Sequence, residues 1–96
     1  METKTPSARK TVIITGAARG IGLATAHLMH EAGWNIVLVD WDAEALEKSA
    51  KAFENGIGLV CDVSGPTAVQ GMLAAALRCA GQIDALVNNA GIADFG

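Results

Sequence analysis

The sequence predicts an α/β fold: a doubly wound parallel sheet, of which four strands in the order 3-2-1-4 and three helices are present. Short β-branched runs alternate along the chain with stretches of helical periodicity. The runs VIIT, IVLV and ALV are apolar at consecutive positions, so both faces of each strand need cover, as in a parallel sheet between layers of helices. Right-handed crossovers between successive strands then fix the winding.

The first strand is TVIIT from Thr11, bounded by Gly16. Ile21, Ala24, Leu28 and Ala32 follow at helical spacing and predict the core face of the first helix, which Gly33 ends. NIVLVD is the second strand. Asp42 caps a second helix with Leu46, Ala50 and Phe53 on its apolar side, and its early acids suit the helix dipole, with Glu44 and Lys48 at i, i+4. GIGLVCD reads as a third, shorter strand. Ser64 caps a third helix with Pro66 in its first turn, where the missing N–H does no harm. Its face is Val69, Met72, Leu73, Ala76, Leu77 and Ala80, and Gly81 closes it. DALVNN is the fourth strand. Met29 and Met72 fall at core-facing positions.

Composition narrows the function classes. At 96 residues and 51% apolar, the chain has room for one globular core. The predicted organisation is a flexible leader over 1–10 and one domain over 11–96. Polar and charged residues interrupt every apolar stretch, so no membrane span is expected, and METKTPSARK lacks the apolar segment of a secretion signal. A net charge of -3 with scattered Lys and Arg argues against nucleic acid. Cys61 and Cys79 fit neither a redox pair nor a zinc site and read as buried or partly buried thiols of a cytoplasmic protein. His27 and His30 share a helix face, but with no HExxH and no third ligand they read as a solvated or loop-facing pair rather than a metal site.

TGAARGIG, Thr15 to Gly22, lies between the first strand and the first helix. Gly16, Gly20 and Gly22 permit a tight turn and a close approach of backbone to ligand, and the free N–H groups at a helix start favour a pyrophosphate. The spacing is GxxxGxG, neither GxGxxG nor the GxxxxGK[ST] of a P-loop. Alone, such a match is as well explained by a plain tight loop. Its place between strand and helix, and Asp40 at the end of the second strand, favour dinucleotide binding. An acid at Asp40, with Asp42 adding to it, repels a 2′-phosphate and favours NAD over NADP. Arg19 pulls the other way, because from within the loop it can reach a phosphate, a 2′-phosphate included.

These residues resemble the short-chain dehydrogenase/reductase family. TGAARGIG is similar to its TGxxxGxG cofactor loop, Asp40 stands at its NAD-discriminating position, Cys61 to Val63 resembles its adenine-contacting DV step, and NNAG at Asn88 to Gly91 matches its fourth-strand motif. All four fall in order over Lys10 to about Asp94. The resemblance implies a Rossmann-type fold and hydride transfer between a nicotinamide and a secondary alcohol or ketone. It implies that Gly16 to Gly22 hold the pyrophosphate, with Arg19 and the Ile21 N–H as donors, and that Asp40 binds the ribose hydroxyls. Trp41 would lie against the adenine, although a half-exposed residue after a strand explains it equally well. Asp62 would accept from the adenine amino group beside the Val63 backbone. Asn89, Ala90 and Gly91 would run along the nicotinamide-side ribose, and Asn88, as a buried amide, would tie neighbouring strands together.

The family's proton-transfer groups are a Ser, a Tyr and a Lys in a YxxxK pair. The chain contains no Tyr, its lysines are Lys4, Lys10, Lys48 and Lys51, and its serines are Ser7 in the leader, Ser49 on a surface helix and Ser64 in a cap. No catalytic residue is assigned. Two expectations follow. In one, these residues are the cofactor-binding part of an NAD-dependent oxidoreductase, inactive alone, whose full protein is a homo-oligomer acting on a small alcohol or carbonyl compound. In the other, the chain is a truncated nucleotide-binding module or a remnant without catalysis. With order 3-2-1-4 the fourth strand is an apolar edge unless more strands follow, so the isolated chain is expected to be marginally stable or self-associating.

Overall fold

The structure, a computed structural model, describes residues 9–62 and 66–89. Strands β1 (Thr11–Thr15), β2 (Asn35–Asp40), β3 (Ile57–Val60) and β4 (Ala85–Val87) alternate with helices α1 (Gly20–Glu31), α2 (Ala43–Ala50) and α3 (Pro66–Ala80). All three strand pairings are parallel, and the order is β3-β2-β1-β4. Ile14 stands opposite both Leu38 and Val87, so β1 is the centre of the sheet.

Side chains alternate across a strand, and the two faces separate cleanly here. Val12, Ile14, Ile36 and Leu38 enter one core with Ala26 of α1, Leu46 of α2 and Phe53. Ile13, Val37 and Val39 enter the other with Met72 and Ala76 of α3. Two helices therefore cover one face and one covers the other, which explains why β1 and β2 carry no polar alternation. Edge strands β3 and β4 are only half-buried, with Val60 and Leu86 exposed.

Caps and stops follow the local chemistry. Asp42 Oδ1 accepts the Ala45 N–H at 3.2 Å and caps α2. Pro66 opens α3. Gly33 and Gly81 take positive φ after α1 and α3, and the Gly81 N–H returns to the Leu77 carbonyl at 2.8 Å.

Several expectations are corrected. The first helix does not bury Ile21, Ala24, Leu28 and Ala32; Ile21 is 70% and Leu28 68% exposed, while Gly22 and Ala26 are the buried pair. Size is the reason. Gly22 is pressed against the Gly16 carbonyl, so the start of the helix lies close to the sheet; the small Gly22 and Ala26 take the fully buried positions, while the larger Leu23 and Met29 pack against the core only partly buried. Phe53 is buried but belongs to the turn after α2. The third strand is Ile57–Val60 rather than GIGLVCD, and the fourth is Ala85–Val87 rather than DALVNN. Leu77 is half-exposed on α3. Cys61 is partly buried, its thiol directed at the Ala68 carbonyl, but Cys79 is exposed. His27 and His30 both lie against the Phe53 ring, at centroid distances of 4.6 and 5.3 Å, which bears out the loop-facing reading. The leader through residue 8 and the Ser64 cap lie outside the described residues.

Candidate dinucleotide-binding site

The singled-out residues gather at the C-terminal edge of the sheet, because parallel strands all end there. Gly16 follows β1, Asp40 ends β2, Asp62 follows β3 and Asn89 follows β4. In open α/β sheets the loops at this edge form a crevice where the strand order reverses, here between β1 and β4.

The glycine turn is built from its backbone. Gly16 and Gly20 both have φ of 61°, the left-handed region that a side chain disfavours. Gly22 has another reason to be glycine: a Cβ there would lie 2.1 Å from the Gly16 carbonyl oxygen and 2.9 Å from Asn89 Nδ2. At Gly20 a Cβ would meet nothing within 4 Å, so that side of the turn is open. The first N–H groups of a helix, here Gly20, Ile21 and Gly22, have no carbonyl to bond within it, and Arg19 at the cap position supplies no side-chain bond. Donors at the open mouth of the turn, backed by the helix dipole, suit an anion such as a pyrophosphate.

Asp40 is the anchor beside the turn. It is 8% exposed, its Oδ2 accepts the Ala18 N–H at 3.0 Å and its Oδ1 accepts the Asp42 N–H at 3.1 Å. Each carboxylate oxygen has a further acceptor site, so the group that shapes the loop can also accept from a hydroxyl. Asp42 pairs in turn with Arg19, Oδ2 to Nη2 at 2.5 Å. The Ala45 backbone N–H and the Arg19 guanidinium hold the Asp42 carboxyl below the usual carboxylate range. Trp41 is 71% exposed, more open than a half-exposed residue after a strand. Asp62 is exposed. Val63, Ala90 and Gly91 lie outside the described residues.

On the β4 side, Thr15 joins the strands. Its Oγ1 donates to Asn88 Oδ1 at 3.1 Å and accepts the Asn89 N–H at 3.0 Å. Asn88 thus ties β4 to β1 from an exposed position rather than a buried one. The Asn89 side chain reaches the Gly16 carbonyl at 3.4 Å, the oxygen that also faces Gly22.

Sequence reasoning missed three contributors. Thr15 looked like the end of a strand, and nothing in its neighbourhood signalled a bond to residues more than seventy positions away. The sequence puts Ser49 on a surface helix, yet it is half-buried and its Oγ donates to the Ala18 carbonyl at 2.7 Å. The Arg19–Asp42 pair was legible only as two opposing charges. Among the described residues no group of three His, Cys, Asp or Glu side chains could hold a metal ion, and no helix is long and apolar enough to cross a membrane.

A doubly wound sheet with a glycine turn closed by a β4 Asn and by an acid at the end of β2 defines a nucleotide-binding class of α/β proteins. The family model described as short chain dehydrogenase matches residues 10–96, and the chain belongs to that family. It is 40% identical over 85 residues to meso-2,3-butanediol dehydrogenase of Serratia marcescens, covering 86% of this chain and 34% of that protein. Among solved structures it resembles an NAD+-bound xylitol dehydrogenase, at 41% identity and a TM-score of 0.72 over 80% of this chain and 31% of the other. It also resembles a short-chain dehydrogenase/reductase from Burkholderia phymatum in complex with NAD, at 35% identity and a TM-score of 0.75 over 81% and 29%. The chain thus spans about a third of the length of the curated relatives it matches.

Proposed function

We propose that these residues form the NAD-binding part of an oxidoreductase that interconverts a secondary alcohol and a ketone. The observation that carries this reading is the Asp40 carboxylate, held against the Ala18 N–H at the mouth of a glycine turn whose helix N–H groups are open. The turn from Gly16 to Gly22, with the Ile21 N–H, binds the pyrophosphate, while the Arg19 guanidinium that the sequence also offers as a donor is engaged by Asp42, and Asp40 accepts from the adenosine ribose hydroxyls. Trp41 lies against one face of the adenine, and Asp62 accepts from its amino group, with the Val63 backbone beside it. Asn89, Ala90 and Gly91 line the nicotinamide-side ribose. The dinucleotide supplies the hydride acceptor or donor, while this chain's residues bind and orient it.

The acid at Asp40 and its neighbour Asp42 favour NAD, and the NAD complexes of two similar structures support that choice. The Ser, Tyr and Lys of proton transfer belong, in this reading, to the full protein outside these 96 residues, which contain no Tyr. The full protein is a homo-oligomer of the cytoplasm, where two free cysteines stay reduced.

Calorimetric titration of the full protein with NAD tests the reading. NAD is expected to bind, and Asp40→Ala to weaken it at least tenfold, about 1.4 kcal/mol. A parent that binds no dinucleotide, or an Asp40→Ala protein that folds and binds NAD as tightly as the parent, would overturn it.

A further inference from the structure

The sequence leaves Arg19 and the two acids pulling in opposite directions on cofactor choice, and the structure connects them. Asp42 is held in place independently of Arg19. Its N–H bonds Asp40 Oδ1 at 3.1 Å, its Oδ1 takes the Ala45 N–H at 3.2 Å, and its carbonyl takes the Leu46 N–H at 2.9 Å. One oxygen, Oδ2, is left over, and the Arg19 guanidinium is on it. Arg19 in turn follows Ala18, whose N–H is bonded to Asp40. The loop, the end of β2 and the start of α2 thereby form a closed circuit of four residues: Ala18, Asp40, Asp42 and Arg19.

We propose that Asp42 is a positioning residue for cofactor choice: by holding the Arg19 guanidinium it withholds the cation of the glycine turn from a ribose 2′-phosphate, and so sharpens selection for the unphosphorylated dinucleotide. This rests on the dinucleotide-binding reading above. A 2′-phosphate carries nearly two negative charges and would face Asp40 at the ribose edge, so it needs a cation there. The Arg19 side chain is exposed, whereas Asp42 is held by three backbone hydrogen bonds, so the guanidinium pairs with whichever anion meets it. Exposed pairs of this kind stabilise folds little, which leaves selectivity as the property they can alter.

The test is the ratio of dissociation constants for NADP and NAD, measured on the full protein by calorimetry. Asp42→Asn keeps a capping acceptor for the Ala45 N–H and removes the charge; Asp42→Ser does the same with a shorter side chain and guards against a folding defect in the first variant. Each is expected to lower the NADP/NAD ratio on the order of fivefold, the scale of an exposed charge pair, and to lower it clearly less in an Arg19→Ala background, where only the direct repulsion by the Asp42 charge is lost. A purely structural role at the cap would move both constants together and leave the ratio unchanged. An unchanged ratio with NAD binding intact overturns the proposal. So does an equal fall in the Arg19→Ala background, because the lost charge would then act without Arg19. A parent that binds neither dinucleotide overturns the cofactor reading, and this inference with it.

Discussion

A methyl group added at Gly22 would lie 2.1 Å from the Gly16 carbonyl oxygen, where ordinary contact begins at 3.4 Å. The obstacle is backbone, so no rotamer change can relieve it. Either the Gly16 carbonyl moves, carrying the Asn89 side chain with it, or the start of α1 lifts from the sheet. Overpacking costs about 1–3 kcal/mol, and the upper end applies to a rigid neighbour. Alanine recovers about 1 kcal/mol of helix propensity over glycine. Gly22→Ala is therefore expected to lose about 2 kcal/mol of stability and to weaken NAD binding with it. Two other glycines calibrate the figure. Gly20→Ala meets no atom within 4 Å but sits at φ 61°, for a cost of about 1–2 kcal/mol. Gly71→Ala, in the exposed middle of α3 with nothing within 4 Å, is expected to gain about 1 kcal/mol. Urea unfolding of the three variants, followed by far-UV circular dichroism with midpoints compared at a common slope, orders them. If Gly22→Ala is as well tolerated as Gly71→Ala, the close packing of α1 on the glycine turn is refuted.

Thr15→Val keeps the shape of the side chain but removes the acceptor of the Asn89 N–H and the donor to Asn88. A loss of about 1–3 kcal/mol in urea unfolding is expected, with weaker NAD binding, and unaltered stability would count against Thr15 as the tie between β1 and β4. The Thr11 backbone N–H, and then the Gln82 side-chain amide, hold the Asp84 carboxyl below its ordinary value. Because its folded pKa is lowered, this contribution is present above the unfolded carboxylate value of about 3.9 and is lost as pH falls through the lower folded one. Asp84→Asn should therefore reduce stability at neutral pH and flatten its decline in acid, which thermal melts from pH 7 down to pH 2 will show; an acid limb as steep as the parent's refutes this. The 96-residue chain expressed alone exposes Leu86 on the β4 edge and Leu77 on α3, and is expected to elute from size-exclusion chromatography as self-associated species. A monomer with a sharp, concentration-independent melt would show that the edge is harmless.

The sequence by itself determined the order of elements, the parallel sheet and the position of the glycine turn. Each is a local pattern: consecutive apolar residues in β1 and β2, caps and stops at Asp42, Pro66, Gly33 and Gly81, and an acid at the end of β2. What it could not determine was the rotation of α1. Periodicity gives the large residues Ile21 and Leu28 to the core, but the Gly22–Gly16 contact turns the start of the helix so that the small Gly22 and Ala26 are fully buried, Leu23 and Met29 partly so, and Ile21 and Leu28 are exposed. Nor could it pair Arg19 with Asp42, Ser49 with Ala18, or Thr15 with Asn88 and Asn89. Those partners are 23 to 74 residues apart along the chain, and they meet because parallel strands bring their C-terminal ends to one edge and because α2 brings Ser49 to the glycine turn. Periodicity and capping act within a few residues, so they specify elements; hydrogen bonds between loops depend on how the elements pack, and that was decided by the tertiary structure alone.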